Sequence, residues 1–422
     1  MESGSLSKWK SAFPGLAAFI LLTAIMIFPM ESYQSALSGL NVFLQSVFPA
    51  LLPFFIASEI MTGLGVVDFL SILLNPVMKP LFRCPGNSSF IWVMSMTSGY
   101  PTGARLTAMF LKEKKLTALE AQRILMFCST SGPLFMIGAV AIGMMGTREG
   151  GMVILISHYA AAFLLGLCFR YYRSRNYRCR RPKMPHKPLY SEKKPSSRTI
   201  LHQALLALDC ARKKDGRPIG RLMGDAVRNS VNVLLVVGGF IILFSVVTNL
   251  LMHLKIIDWM ASLAAIPMKA FSIDVPLLRA LTGGLFEVTT GSKLVSETAV
   301  TMQAKIAGVS FVIGWSGLSI HAQSASFLSG TGVKISIYIL GKFLHGLLAA
   351  VLSLPFTALL YPEAMAASKP ALVASSPVGW KEAFLCSIGF LLTALLMLFL
   401  FIVLSRIWLQ IRKIFYQGKR QL

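Results

Sequence analysis

Two short runs carry the residue types most suited to chemistry: Thr102-Gly103-Ala104-Arg105 and Thr290-Gly291-Ser292-Lys293. In each, a glycine that can break a helix is followed closely by a cation. A broken segment leaves unpaired amide N–H groups at the start of the next half-helix, and those donors together with the helix dipole favour an anion. Arg105 can grip a carboxylate with two parallel hydrogen bonds, whereas Lys293 offers a compact point charge. Two bland alternatives stay open. Arg105 and Lys293 can simply snorkel to opposite interfaces, and Thr-Gly pairs also let membrane helices approach closely.

A second set of polar residues lies inside otherwise apolar stretches. Ser129-Thr130-Ser131-Gly132-Pro133 would open a helix ladder and offer hydroxyls to a ligand. Its counterpart is Trp315-Ser316-Gly317-Leu318-Ser319-Ile320-His321-Ala322-Gln323-Ser324. There Ser316, Ser319 and Gln323 recur near helical spacing, and His321 adds a titratable group at membrane depth. Packing or back-bonding is the competing role for these hydroxyls. Glu287 stands just before the second glycine break, as a candidate for a coupling proton or sodium ion or as a partner of Lys293, and Glu59 is a further acid beside an apolar stretch. His158 and His345, on mostly apolar spans, read as packing residues. No HExxH motif and no phosphate-binding glycine loop is present, and the six cysteines are scattered without a CxxC pair. The expectation is therefore no enzyme, no metal and no cofactor.

The surroundings of these residues are those of a membrane protein. The chain is 55% hydrophobic and 14% charged, with a mean hydropathy of +0.66, against about 25% charged in soluble domains. Apolar runs at Ala12–Phe28, Leu40–Leu64, Arg123–Met145, Met152–Tyr172, Val231–Leu254, Ile306–Ser329, Val333–Tyr361 and Ala383–Leu409 predict about eight spanning helices. Shorter pieces at Val66–Phe82, Ser88–Phe110, Ile256–Phe271 and Val275–Leu294 read as interfacial or re-entrant hairpins. The predicted class is an all-α polytopic membrane protein. The net charge of +24 would suit nucleic acid, but its location argues otherwise. Between Tyr171 and Arg228 there are 16 Lys+Arg against 4 Asp+Glu, half of the surplus. Such a cluster marks a cytoplasmic loop, connecting the halves or touching anionic lipid. A cytoplasmic N-terminus puts the basic C-terminal tail on the same side. The first apolar run lacks a small-residue cleavage site and reads as a retained helix.

An internal repeat is also legible. Val67-Asp68-Phe69 resembles Ile257-Asp258-Trp259, Met78-Lys79 resembles Met268-Lys269, the two Thr-Gly-x-basic runs match, and Ser131-Gly132 matches Ser316-Gly317, at a separation drifting from 190 to 185 residues. With the topology above, the copies have opposite orientation. The expected organisation is an N-terminal transmembrane helix (1–36), a first repeat (37–172), a basic loop (173–229), a second, inverted repeat (230–361), and a C-terminal helix with a basic tail (362–422).

The stretch Pro49-Ala50-Leu51-Leu52-Pro53-Phe54, the segment Thr97-Ser98-Gly99-Tyr100-Pro101-Thr102-Gly103-Ala104-Arg105, Cys128-Ser129-Thr130-Ser131-Gly132-Pro133 and Gly314-Trp315-Ser316-Gly317-Leu318-Ser319-Ile320-His321-Ala322-Gln323 together resemble the YlbJ family of sporulation integral membrane proteins. The resemblance runs from about Leu40 to Tyr361. It implies a nucleoside-recognition or Gate domain, a place in the outer forespore membrane of an endospore former, and passage of dipicolinic acid from the mother cell. Two Thr-Gly-x-basic elements would suit its two carboxylates. A nucleoside or other organic-anion carrier and a non-transporting sporulation scaffold stay open as alternatives, as does assembly into a homo-oligomer.

Overall fold

The computed structural model describes residues 3–172, 200–268 and 274–366, and every regular element among them is helical. Helices α1 (Ser3–Ile27) and α2 (Pro29–Val42, continued by a π-helical turn at Phe43–Val47) lead into α3 (Phe48–Gly63) and α4 (Val66–Phe82). Then come α5 (Ser88–Ser98), α6 (Thr102–Lys112), α7 (Ala118–Cys128), a π-helical segment at Leu134–Ile142, and α8 (Arg148–Phe169). The chain continues with α9 (Ile200–Asp215), α10 (Ile219–His253), α11 (Ile256–Met268), α12 (Val275–Phe286) and α13 (Val288–Glu297). Helices α14 (Met302–Trp315), α15 (Gly317–Leu328), α16 (Ile335–Leu360) and the short α17 (Glu363–Ala366) complete it.

Among the described residues three helices, α8, α10 and α16, are long and apolar enough to cross a membrane, and five spans result if the bent pairs α1–α2 and α3–α4 each count as one. Hydropathy sums over a window and does not register a break, so several of the eight expected spans are bent or broken helices. Arg123–Met145 stops at Cys128 and resumes as a π-helix after Pro133, and Ile306–Ser329 breaks at Ser316. Ala12–Phe28 turns through 106° into α2. Val66–Phe82, expected as an interfacial or re-entrant piece, is one helix despite Pro76 and Pro80. The expected helix Ala383–Leu409, the basic tail and Lys269 lie outside the described residues, as do residues 173–199 of the basic loop. From Ile200 onward that loop is helical: α9 lies along α4, and a turn held by Arg212, Asp215, Arg217 and Asp225 hands the chain to α10.

One order of elements occurs twice: a helix, a hairpin broken in the middle, a second broken helix, and an unbroken span. It is α4, α5–α6, α7 with its π-helix, and α8, then α11, α12–α13, α14–α15 and α16. Helix α16 shows what drives this packing. Leu340, Leu344, Leu347 and Val351 are exposed, while Tyr338, Lys342, His345, Ala349, Ser353 and Thr357 are buried. Both sets recur at three to four residues, so one face meets lipid and the other a polar interior. Small residues set the spacing: a Cβ on Gly314 of α14 would come within 2.6 Å of Gly346 on α16. Such contacts let two backbones approach where lipid supplies no hydrophobic drive. Elsewhere the core is aromatic, with Phe82 and Phe127 stacked at 4.1 Å and Trp92 edge-on to both.

Candidate functional site

Each hairpin break is seated on the break of the helix that follows. In the first set, Gly99 ends α5 at φ 80°, a conformation that suits glycine, and its backbone lies against Gly132. Thr102 opens α6 fully buried, with Ser98 Oγ donating to its hydroxyl at 2.8 Å. Gly103 has no room for a side chain, because a Cβ there would overlap the Cys128 carbonyl at the end of α7. In the second set Gly317 lies against Glu287, and a Cβ on Gly291 would overlap the backbone of Gly284. The glycines of both Thr-Gly pairs thus serve close approach. Ser316 sits at φ 76° at the break between α14 and α15, an uncommon conformation for a residue with a side chain.

The amide donors expected to be free for an anion in the second set are already engaged. Glu287 is the N-cap of α13, and its two carboxylate oxygens accept from Thr289 N at 3.0 Å and Thr290 N at 2.6 Å. A carboxylate belongs at that position, since it meets both the donors and the positive end of the helix dipole. The two expected cations also have separate partners. Arg105, 7% exposed, donates to Glu59, 17% exposed, and lies 4.7 Å over the Phe55 ring. Lys293 is 66% exposed and faces Glu297 at 3.9 Å on its own helix. They share no partner among the described residues.

A different cation occupies the centre. Lys342 lies on α16 about 10 Å from its start, at 1.5 Å per residue, and is 1% exposed. Its Nζ donates to the Ser129 carbonyl at 2.7 Å and to His345 Nδ1 at 3.0 Å, and stands 5.2 Å from the centre of the Tyr100 ring. No carboxylate among the described residues pairs with it. The Ser129 carbonyl is available because the helix ladder breaks there; α7 ends at Cys128 and the π-helix begins at Leu134. A charge within a span costs up to about 3 kcal/mol, the value at the helix centre, and two hydrogen bonds to a charged donor, each worth about 1.5–3 kcal/mol, offset this.

Around Lys342 the two breaks are tied together. Tyr338 OH shares hydrogen bonds with Ser129 Oγ at 2.9 Å and Ser324 Oγ at 3.1 Å. Tyr100 OH donates to the Ile313 carbonyl and faces Ser131 and Ser316. Ser131 N donates to His158 Nε2 at 3.0 Å, and Tyr159 OH donates to the carbonyls of Ser131 and Met96. His321 Nε2 binds the Trp315 carbonyl at 2.8 Å, with its ring 5.7 Å from that of Tyr338. Two buried ring nitrogens here, His321 Nδ1 and His158 Nδ1, have no hydrogen-bond partner among the described residues. Buried polar atoms are normally satisfied, so these unmet atoms set the surroundings of Lys342 apart from an ordinary packed core.

Of the residues expected from sequence, Ser129, Ser131, Ser316 and His321 are gathered here. Thr130 is buried at the same break, but its hydroxyl donates to the Ser95 carbonyl at 3.3 Å and not to the Lys342 network. Ser319 and Gln323 are buried on α15 and hydrogen-bond each other at 3.4 Å, without a bond to the Lys342 network. Thr102 and Gly103 support the first break, Thr290 and Gly291 the second, and Arg105 and Lys293 stand apart. Sequence reasoning passed over Lys342, Tyr338, Tyr100 and Tyr159, and read His158 and His345 as packing. A signal was present: Tyr338, Lys342, His345, Ser353 and Thr357 form a polar stripe at helical spacing within an apolar span.

Residues 44–148, which include the first hairpin and its following break, match the Gate family described as nucleoside recognition. No solved structure matches. The sporulation integral membrane protein YlbJ of Bacillus subtilis (strain 168) is 41% identical over 336 residues, covering 79% of this chain and 79% of the relative. With that likeness over a set of long apolar helices, the chain is an integral membrane protein and belongs to the YlbJ family.

Proposed function

We propose that the protein carries a small organic anion across the membrane, that Lys342 meets its carboxylate, and that the substrate is dipicolinate, moved from the mother cell across the outer forespore membrane during sporulation. The observation that carries the reading is a buried lysine side chain with no carboxylate partner among the described residues, held where two broken helices meet. A scaffold needs neither feature. Intramembrane charge is costly and marks ligand pathways, and broken helices at mid-membrane are how carriers expose backbone to a substrate. The recurrence of one element order, read as an inverted repeat, fits alternating access around such a centre. The kinship with a sporulation integral membrane protein supports the sporulation setting. The two-cation cradle gives way to one cation with hydroxyls around it, because Arg105 has its own carboxylate and Lys293 faces outward.

The description of the Gate family favours a second reading, a nucleoside carrier. Charge separates the two, since a neutral nucleoside has no use for an unmatched ammonium. Calorimetry on purified full-length protein, with dipicolinate and uridine as ligands, decides. Dipicolinate should bind, uridine should not, and Lys342→Met should weaken dipicolinate by tenfold or more while the protein elutes as the parent does. Uridine binding without dipicolinate binding would overturn the anion reading.

A further inference from the structure

We propose that Lys342 and His345 form a proton site that loads together with the anion, so that each anion crosses with one proton. This rests on the carrier reading and deepens it. Hydrogen-bond direction decides where protons sit. His345 Nε2 lies 2.9 Å from the His158 carbonyl. A carbonyl only accepts, so Nε2 bears the hydrogen and donates. Neutral His345 then presents a bare Nδ1, which accepts from Lys342 Nζ at 3.0 Å. A second proton on the pair would set an Nδ1–H against the ammonium, donor facing donor. As arranged, the pair holds one excess proton.

A guest carboxylate changes that count. It gives the ammonium an acceptor, releases Nδ1 from the lysine, and supplies the negative charge that balances a second positive one. The proton comes from water on the loading side and leaves to water on the other side with the anion. No bond within the anion is made or broken.

Among the described residues, His345 is the titratable side chain hydrogen-bonded to Lys342, and the neighbouring groups make their bonds elsewhere. On α8, His158 accepts from Ser131 N through Nε2, which leaves its hydrogen on Nδ1, and Tyr159 donates to two carbonyls. On α15, His321 binds the Trp315 carbonyl. The titratable side chain of α14 is Lys305, whose Nζ donates to the Ser296 carbonyl at 2.7 Å. On α7, Glu120 closes a capping box with Thr117, Arg123 donates to the Tyr172 and Arg83 carbonyls, and Cys128 is buried at the helix end. Glu363 on α17 is exposed. Tyr100 turns its ring face to Lys342 and its hydroxyl away to Ile313, while Tyr338 binds two serines. That leaves His345 as the base in contact with the cation.

Full-length protein in vesicles loaded with a pH-sensitive dye provides the test. Dipicolinate added outside should enter and acidify the lumen beyond protein-free vesicles. With one proton per anion, each pH unit across the membrane should change the accumulation ratio about tenfold. His345→Gln should drive the proton-to-anion ratio towards zero, with His345→Asn as the second variant. Entry of dipicolinate without acidification would overturn the proposal while leaving the carrier intact. Full acidification in both histidine variants would overturn the assignment to this pair. No dipicolinate entry at all would remove the carrier reading, and the proton site with it.

Discussion

Replacing Glu59 by leucine takes away the carboxylate that Arg105 binds. The guanidinium is 7% exposed, and its Nη1 already lacks a partner. Removing one member of a buried pair costs about 3–5 kcal/mol, because the other charge is left uncompensated. Glu59 is 17% exposed, so water reaches that side of the pair and the lower end, about 3 kcal/mol, is expected. Removing both charges, as Glu59→Leu with Arg105→Met, should return stability to within about 1 kcal/mol of the parent, since apolar groups of similar volume replace a pair whose desolvation roughly cancels its attraction. Denaturant titration of the detergent-solubilised protein, read as a double-mutant cycle, measures the coupling. The folded double variant should bind dipicolinate like the parent, because Lys342 is the cation that meets the anion. A double variant as unstable as Glu59→Leu alone would refute the pairing argument. A stable double variant that has lost binding tenfold would return the anion to Arg105.

Three further outcomes follow from the geometry. Gly103→Ala forces a methyl onto the Cys128 carbonyl and within 2.8 Å of Ser95 Oγ, so thermal unfolding should show about 1–3 kcal/mol of destabilisation; Gly224→Ala, with nothing within 4 Å, should be neutral or slightly stabilising. Tyr338→Phe removes two hydrogen bonds that join Ser129 to Ser324 and should cost about 2 kcal/mol by the same assay. At the turn after α9, the Arg217 side chain holds the Asp215 carboxyl below the usual carboxylate range. Its contribution is therefore present above the unfolded value of about 4 and lost as pH falls through the lower folded value. Asp215→Asn should flatten that part of the stability profile below pH 4 and leave the slope near neutrality unchanged.

The amino-acid sequence by itself determined the class, the breaks and the recurrence. Apolar runs require helices in lipid, since backbone groups must be satisfied within the segment. Ser131-Gly132-Pro133, Ser316-Gly317 and Gly99-Tyr100-Pro101 interrupt them for local reasons: glycine reaches positive φ and proline lacks a donor. These are properties of a few adjacent residues, so they can be read without a fold. Partnership cannot. Arg105 and Lys293 look equivalent in their runs, but Glu59 from α3 binds one and the other faces outward. Glu287 caps the very donors that its neighbours in sequence seemed to offer. Lys342 belongs to a polar stripe on an apolar span, and its part emerges only when α7 brings the Ser129 carbonyl to it from more than 200 positions away and no acid arrives among the described residues. Which charge stays unmatched depends on what every other helix delivers to the same place, and only the tertiary structure decides that.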